Sequence, residues 1–250
     1  MTTISSKYAH PHNHQSGSAL VYVFIGVVLF GALALTFARS LNGPVGEIDS
    51  KTAKVGSSEI IEYVKNIDSA VNRMILHRVS ETDIGFTNTV TTLDASGASY
   101  YSGNTNCTTD DCEIFSNSGG KVKALLPSTS YLIDNSLISP SAPMAGAILP
   151  YVVNISGIGS ASPELVIAVS GLKDPVCQSI NTAFKIDTTS GAIPTEDNLP
   201  SSTLYTGNLT SSTVTLGDGA TELDSKNDFC YQISGSSPAT NVYIHVLISR

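Results

Sequence analysis

Ser18–Ala38, SALVYVFIGVVLFGALALTFA, carries no charge over its whole length, and Arg39 closes it. At about 1.5 Å rise per residue, a helix of that length matches the roughly 30 Å hydrocarbon core of a bilayer. It is too long for the short apolar region of a secretory signal, and Arg39-Ser40-Leu41-Asn42-Gly43-Pro44 contains no small-x-small cleavage site. The stretch therefore reads as an uncleaved helix that lives in lipid, or in something that replaces lipid.

The 250 residues leave room beyond it for one domain of ordinary size. Net charge is −8 and no cluster of Lys or Arg occurs, so nucleic acid is an unsuitable partner, because phosphate neutralisation needs a basic face. Only 14% of residues are charged, while Ser, Thr, Asn and Gly abound, a mix that suits exported β-rich domains. All four cysteines, Cys107, Cys112, Cys177 and Cys230, follow the apolar stretch. An even number on one side fits two disulfides in an oxidising compartment. Three pairings exist. The favoured one joins Cys107 to Cys112 over a short loop and Cys177 to Cys230 over a long one. A four-cysteine zinc site is the rival, but Cys177 and Cys230 are not a close pair.

Residues 1–17 are polar, with Lys7 and the run His10-Pro11-His12-Asn13-His14. That run reads as a soluble leader rather than a metal site, because Pro11 opposes ordered ligand geometry. Lys7 before the apolar stretch and acidic, cysteine-bearing sequence after it place the N-terminus in the cytoplasm. Gly43 and Pro44 interrupt the helix, Pro44 by removing a backbone donor. Helical spacing then resumes at Ile60, Val64, Ile67, Val71, Met74 and Ile75, with Glu59, Glu62, Lys65, Asp68, Ser69 and Arg73 on the other faces. An amphipathic helix from roughly Ile48 to Val79 is expected.

After Ser80 the period falls to two. Expected strands are Phe86–Leu93, Tyr131–Ile138, Ala147–Ile155, Leu165–Val169, Ser212–Leu216 and Val242–Ser249, with a short helix Pro175–Phe184 that turns Cys177 and Ile180 inward. The fold class expected is α+β. A long N-terminal helical spine, half transmembrane and half amphipathic, packs on a mainly antiparallel sheet. The segments are a leader (1–17), a transmembrane or fibre-core helix (18–41), an amphipathic extension (42–79) and a disulfide-stapled globular domain (80–250).

A polar leader ending in Gly17, an apolar helix starting at once, an amphipathic extension and a disulfide-bearing domain together resemble the type IV pilin and pseudopilin family. Residues 60–86, IIEYVKNIDSAVNRMILHRVSETDIGF, and 165–186, LVIAVSGLKDPVCQSINTAFKI, are also similar to pilin-like proteins of alphaproteobacteria. The resemblance implies cleavage by prepilin peptidase between Gly17 and Ser18. It implies assembly with like or related pilin subunits, by inner-membrane machinery, into a pilus or a type II secretion-like filament. Tyr22, Phe24, Gly26, Phe30 and Gly31 would then lie in the fibre core, with Gly43 and Pro44 letting the spine bend. Parallel apolar helices replace lipid for one another, and small residues let them approach closely.

Two positions depart from the family pattern. Ser18 stands where mature chains usually begin with Phe, and Tyr22 where the fifth mature residue is usually Glu. That carboxylate is thought to pair with a neighbouring subunit's amino terminus, so its absence implies a minor or tip-type subunit. The location implied is the bacterial inner membrane, single-pass, with the globular domain periplasmic, and an extracellular pilus or periplasmic pseudopilus once assembled. The rival is a signal-anchored extracytoplasmic binding domain that never polymerises.

No enzymatic chemistry is expected, and no cofactor. The chain has no HExxH, no G-x-S-x-G elbow and no phosphate-binding Gly loop. His77 and His245 read as surface or satisfied core residues. Asp218, Glu222, Asp224 and Asp228 gather oxygen ligands that suit Ca²⁺, but without EF-hand spacing they read as a solvated acidic loop.

Overall fold

The computed structural model describes residues 21–30, 45–159, 162–186, 191–210, 212–237 and 239–250. Contacts divide the chain into Met1–Ile48 and Asp49–Arg250. Within the first unit, residues 21–30 are helical and every side chain among them is exposed.

Helix α1 spans Val45–Leu76. Ala53, Ile60, Val64, Ile67, Val71 and Met74 recur at helical spacing and are buried, which gives α1 one apolar stripe. The helix stops in a Schellman turn: the Val79 amide donates to the Met74 carbonyl at 3.1 Å and the Arg78 amide to the Ile75 carbonyl at 2.9 Å. Arg78 takes the left-handed position of that turn at φ +72°, where glycine is the usual occupant.

Six strands follow: β1 (Ile148–Ile155), β2 (Glu164–Leu172), β3 (Thr195–Glu196), β4 (Thr215–Leu216), β5 (Asp228–Ile233) and β6 (Asn241–Ile248). Helix α2 (Asp174–Ala183) lies between β2 and β3. The sheet order is β3-β5-β6-β2-β1-β4. Central pairings are antiparallel, whereas the two-residue edge strands β3 and β4 run parallel to β5 and β1. All eight β6 positions are buried, and so are most of β1 and β2, because both faces of the sheet are covered. Near-continuous apolar runs such as LVIAV and VYIHVLI are what such strands require.

Register assigns the faces. Cys230 pairs with Tyr243, and Asp228 with His245, on the side that meets the helices. There Cys230 is bonded to Cys177 of α2, and the Phe184 ring at the end of α2 stacks on Tyr243 at 6.3 Å between centroids. Ile60 and Tyr63 of α1 flank Ile148 and Val169 around a small cavity of about 190 Å³. The opposite face carries Leu149 beside Ala168, and Ser170 beside Val242.

Several expectations are corrected. The long helical spine with a transmembrane half is not what the described chain forms: among the described residues no helix is long and apolar enough to cross a membrane. Helix α1 bears Lys51, Lys54, Glu59, Glu62, Lys65, Asp68 and Arg73, and its apolar stripe faces a protein core, not lipid. The domain is mostly sheet, with helices on one face. A single-pass inner-membrane anchor with its N-terminus cytoplasmic is therefore not supported. Leader residues 1–17, with Gly17, and Ser18, Gly31, Gly43 and Pro44 lie outside the described residues.

Two expected strands are irregular and a third is cut short, and side chains are the reason. Within Phe86–Leu93 the Asn88 carboxamide oxygen accepts the Val90 and Thr91 amides at 2.9 and 2.7 Å, which diverts the backbone from a ladder. Within Tyr131–Ile138, Asp134 accepts the Ser136 amide at 2.8 Å and sets a 3-10 turn at Asn135–Leu137. In Ser212–Leu216, the Ser212 hydroxyl accepts the Val214 amide, leaving only Thr215 and Leu216 paired.

Candidate functional site

Two constellations stand out in the domain, one on each face of the sheet. On the helix face Lys65 and Asp68 of α1 meet Asp228 of β5 and Tyr243 and His245 of β6. Asp228 is the centre: it accepts from the Tyr243 hydroxyl at 2.7 Å, from His245 Nδ1 at 2.8 Å and from Lys65 Nζ at 3.1 Å. Burial opposes ionisation of Asp228, but the hydrogen bond and charge of His245 outweigh it and hold the carboxyl below its usual value. Burial also works against the imidazolium of His245. Its carboxylate partners, Asp228 first, overcome this and raise its pKa. Burial, with the Asp228 charge, raises the Tyr243 phenol.

His245 Nε2 is buried without a hydrogen-bond partner, and the Asp68 carboxylate lies 3.8 Å away, an ion-pair distance rather than a hydrogen bond. An Asp–His pair works as a general base only where a nucleophile reaches the far nitrogen. Here that nitrogen faces a carboxylate inside the packed layer. The cluster ties α1 to the sheet.

The other face holds a cleft of about 620 Å³. Its floor is Leu149 and Tyr151 of β1, Ala168 and Ser170 of β2 and Val242 of β6. Small side chains at 168 and 170 leave the floor low between larger neighbours. The rim is backbone held by its own hydrogen bonds. On one side the Ala142 amide donates to Ser139 and the Ala142 carbonyl accepts the Ala95 amide, both at 2.9 Å. On another, the Thr203 amide and hydroxyl both donate to the Pro200 carbonyl, at 3.0 and 2.8 Å. On the third, the Ser236 hydroxyl donates to Ile233 and accepts the Thr240 amide. No charged residue is among the described residues that line the cleft. Burial raises the phenols of Tyr100 and Tyr151, so both remain neutral.

The disulfides are Cys107–Cys112 and Cys177–Cys230, with Cα atoms 5.6 and 5.4 Å apart. Tyr22, Phe24 and Phe30 are helical and 72%, 68% and 77% exposed, and no atom approaches within 4 Å of where a Gly26 side chain would begin. His77 is exposed. The acidic stretch 218–228 is dispersed. Asp228 turns to His245, whereas Asp218 lies by Glu196, whose Oε1 accepts the Ala220 amide at 2.8 Å. Among the described residues no three His, Cys, Asp or Glu side chains are placed to hold a metal ion.

The sequence reading missed both constellations. Lys65 and Asp68, three apart on α1, looked like a solvated face. Asp228 looked like the end of a loop, although Phe229, Tyr231 and Ile233 alternate after it. Comparison of the chain with protein-family models, with curated proteins and with solved structures finds no match.

Proposed function

We propose that the chain is a pilin-like subunit, structural and adhesive rather than catalytic, which joins like subunits through its apolar N-terminal stretch and presents the Asp49–Arg250 unit as its head. The observation that carries this reading is the helical run 21–30, on which Val21, Tyr22, Phe24, Val27 and Phe30 are all more than half exposed. Exposed apolar side chains in such a row require a partner, and sister helices of the same kind supply one. Gly26 favours close approach of a neighbouring helix. Two disulfides suit a subunit that works in an oxidising compartment. Tyr22 in place of a carboxylate suits a minor or tip position.

The cleft favours a second reading, a binding domain that does not polymerise. One experiment separates the two: intact-mass analysis and cross-linking of the protein recovered from its own cells. Loss of residues 1–17 by prepilin peptidase, leaving Ser18 first, with cross-links between residues 21–30 of sister chains, supports the filament subunit. A retained leader on a chain that cross-links to no copy of itself overturns it.

A further inference from the structure

We propose that the cleft over β1, β2 and β6 binds a neutral oligosaccharide. Its volume of about 620 Å³ falls within the roughly 300–1,000 Å³ of small-molecule sites. Its chemistry decides the class. Hydroxyls dominate the polar lining, among them Ser139, Ser141, Ser201 and Ser234, and a hydroxyl both donates and accepts. A sugar hydroxyl does the same, so either partner adjusts to the other by rotation. Leu137, Ile138, Leu149 and Leu199 add apolar surface to the same lining, which the C–H groups of a sugar ring can cover. The Tyr100 ring stands half-buried at the wall, where the C–H face of a sugar stacks on an aromatic.

A charged ligand is disfavoured, because the cleft offers no counter-charge and desolvating an ion there is costly. An extended peptide that adds a strand is excluded at this place by geometry. Such peptides take an unpaired sheet edge, whereas β2 and β6 are paired on both sides and the outer edge of β1 beside the cleft is taken by the Thr91 carbonyl and the Tyr205 amide. The rim is already hydrogen-bonded within itself, so little ordering is needed on binding. This inference stands on the cleft and not on filament assembly, which is read separately from the new terminus at Ser18.

The test is titration of the full chain with maltotriose, cellotriose and chitotriose, and with trigalacturonate as the charged control, followed by tyrosine fluorescence, which no Trp obscures. At least one neutral trisaccharide binds with a dissociation constant of about 1 mM or tighter. Tyr100→Leu, which keeps the wall apolar, and Ser234→Arg, at an exposed rim position, each weaken binding about tenfold or more. Circular dichroism of both variants reports that they are folded. Absence of binding by all three neutral sugars at about 10 mM overturns the proposal. So does stronger binding of trigalacturonate, or binding that neither substitution in a folded variant changes.

Discussion

At His245 the chain places a titratable group where its charge state decides how tightly α1 is held. The groups facing it are Lys65 and Asp68 from α1, Asp228 from β5 and Tyr243 beside it on β6. Because the folded-state pKa is raised, the stabilisation from imidazolium is complete below the ordinary histidine value of about 6.5 and is lost as pH rises through the folded value. Asp228 has the opposite sign. Its pKa is lowered, so its contribution is present above the ordinary carboxylate value of about 4 and is lost as pH falls through the folded value. The two windows overlap between about pH 4 and 6.5. His245→Gln should therefore lower stability by about 2 kcal/mol at pH 5.5, and the gap should narrow as pH rises through the folded-state value. Urea melts of both proteins across that range check this; a gap that widens with pH contradicts the assigned signs. None of this was legible in Tyr243-Ile244-His245-Val246, because pairing of β6 with β5 and with α1 comes from contacts 17 and 180 residues away in sequence.

At the scale of elements, legibility followed burial. Strands β1, β2 and β6 are long apolar runs that only a doubly covered sheet explains, and they stand where their composition says. The stretches 86–93 and 131–138 carry similar apolar residues, yet Asn88 and Asp134 capture backbone amides locally and win over the ladder. Strand β5 went unread because part of its pairing is not made by a strand. At Cys230, beyond the reach of β3, Asn181 of α2 donates to the Cys230 carbonyl and accepts the Cys230 amide, both at 2.8 Å. A single carboxamide completes the ladder that β3 begins. Asn181→Leu keeps the volume but leaves a buried N–H and C=O unpaired, at a cost of about 2–4 kcal/mol. Equilibrium denaturation measures it, and amide exchange at Cys230 should quicken in step. A neutral result would mean that water enters beside α2 and replaces the amide.

For the whole molecule, the covalent links act on different spans of chain. The Cys177–Cys230 bridge closes a separation of 53 residues and ties α2 to the middle of the sheet, whereas Cys107–Cys112 closes only 5. By loop-closure entropy the long bridge contributes about 4 kcal/mol and the short one about 2. Removing the long one also opens space in the core, since Cys177 and Cys230 are both fully buried among Val176, Ile180 and Tyr243. The double variant Cys177→Ala/Cys230→Ala should therefore lose more than Cys107→Ala/Cys112→Ala. For a domain of this size each kcal/mol lowers Tm by roughly 2–4 °C. Calorimetry of the two double variants under non-reducing conditions gives the comparison, and reductant should shift the native protein towards the sum of both losses. Equal Tm values for the two variants would show that the domain is held by its sheet core alone. In that case the link between α2 and β5 would rest on Asn181 and the Phe184–Tyr243 stack rather than on the bridge between them.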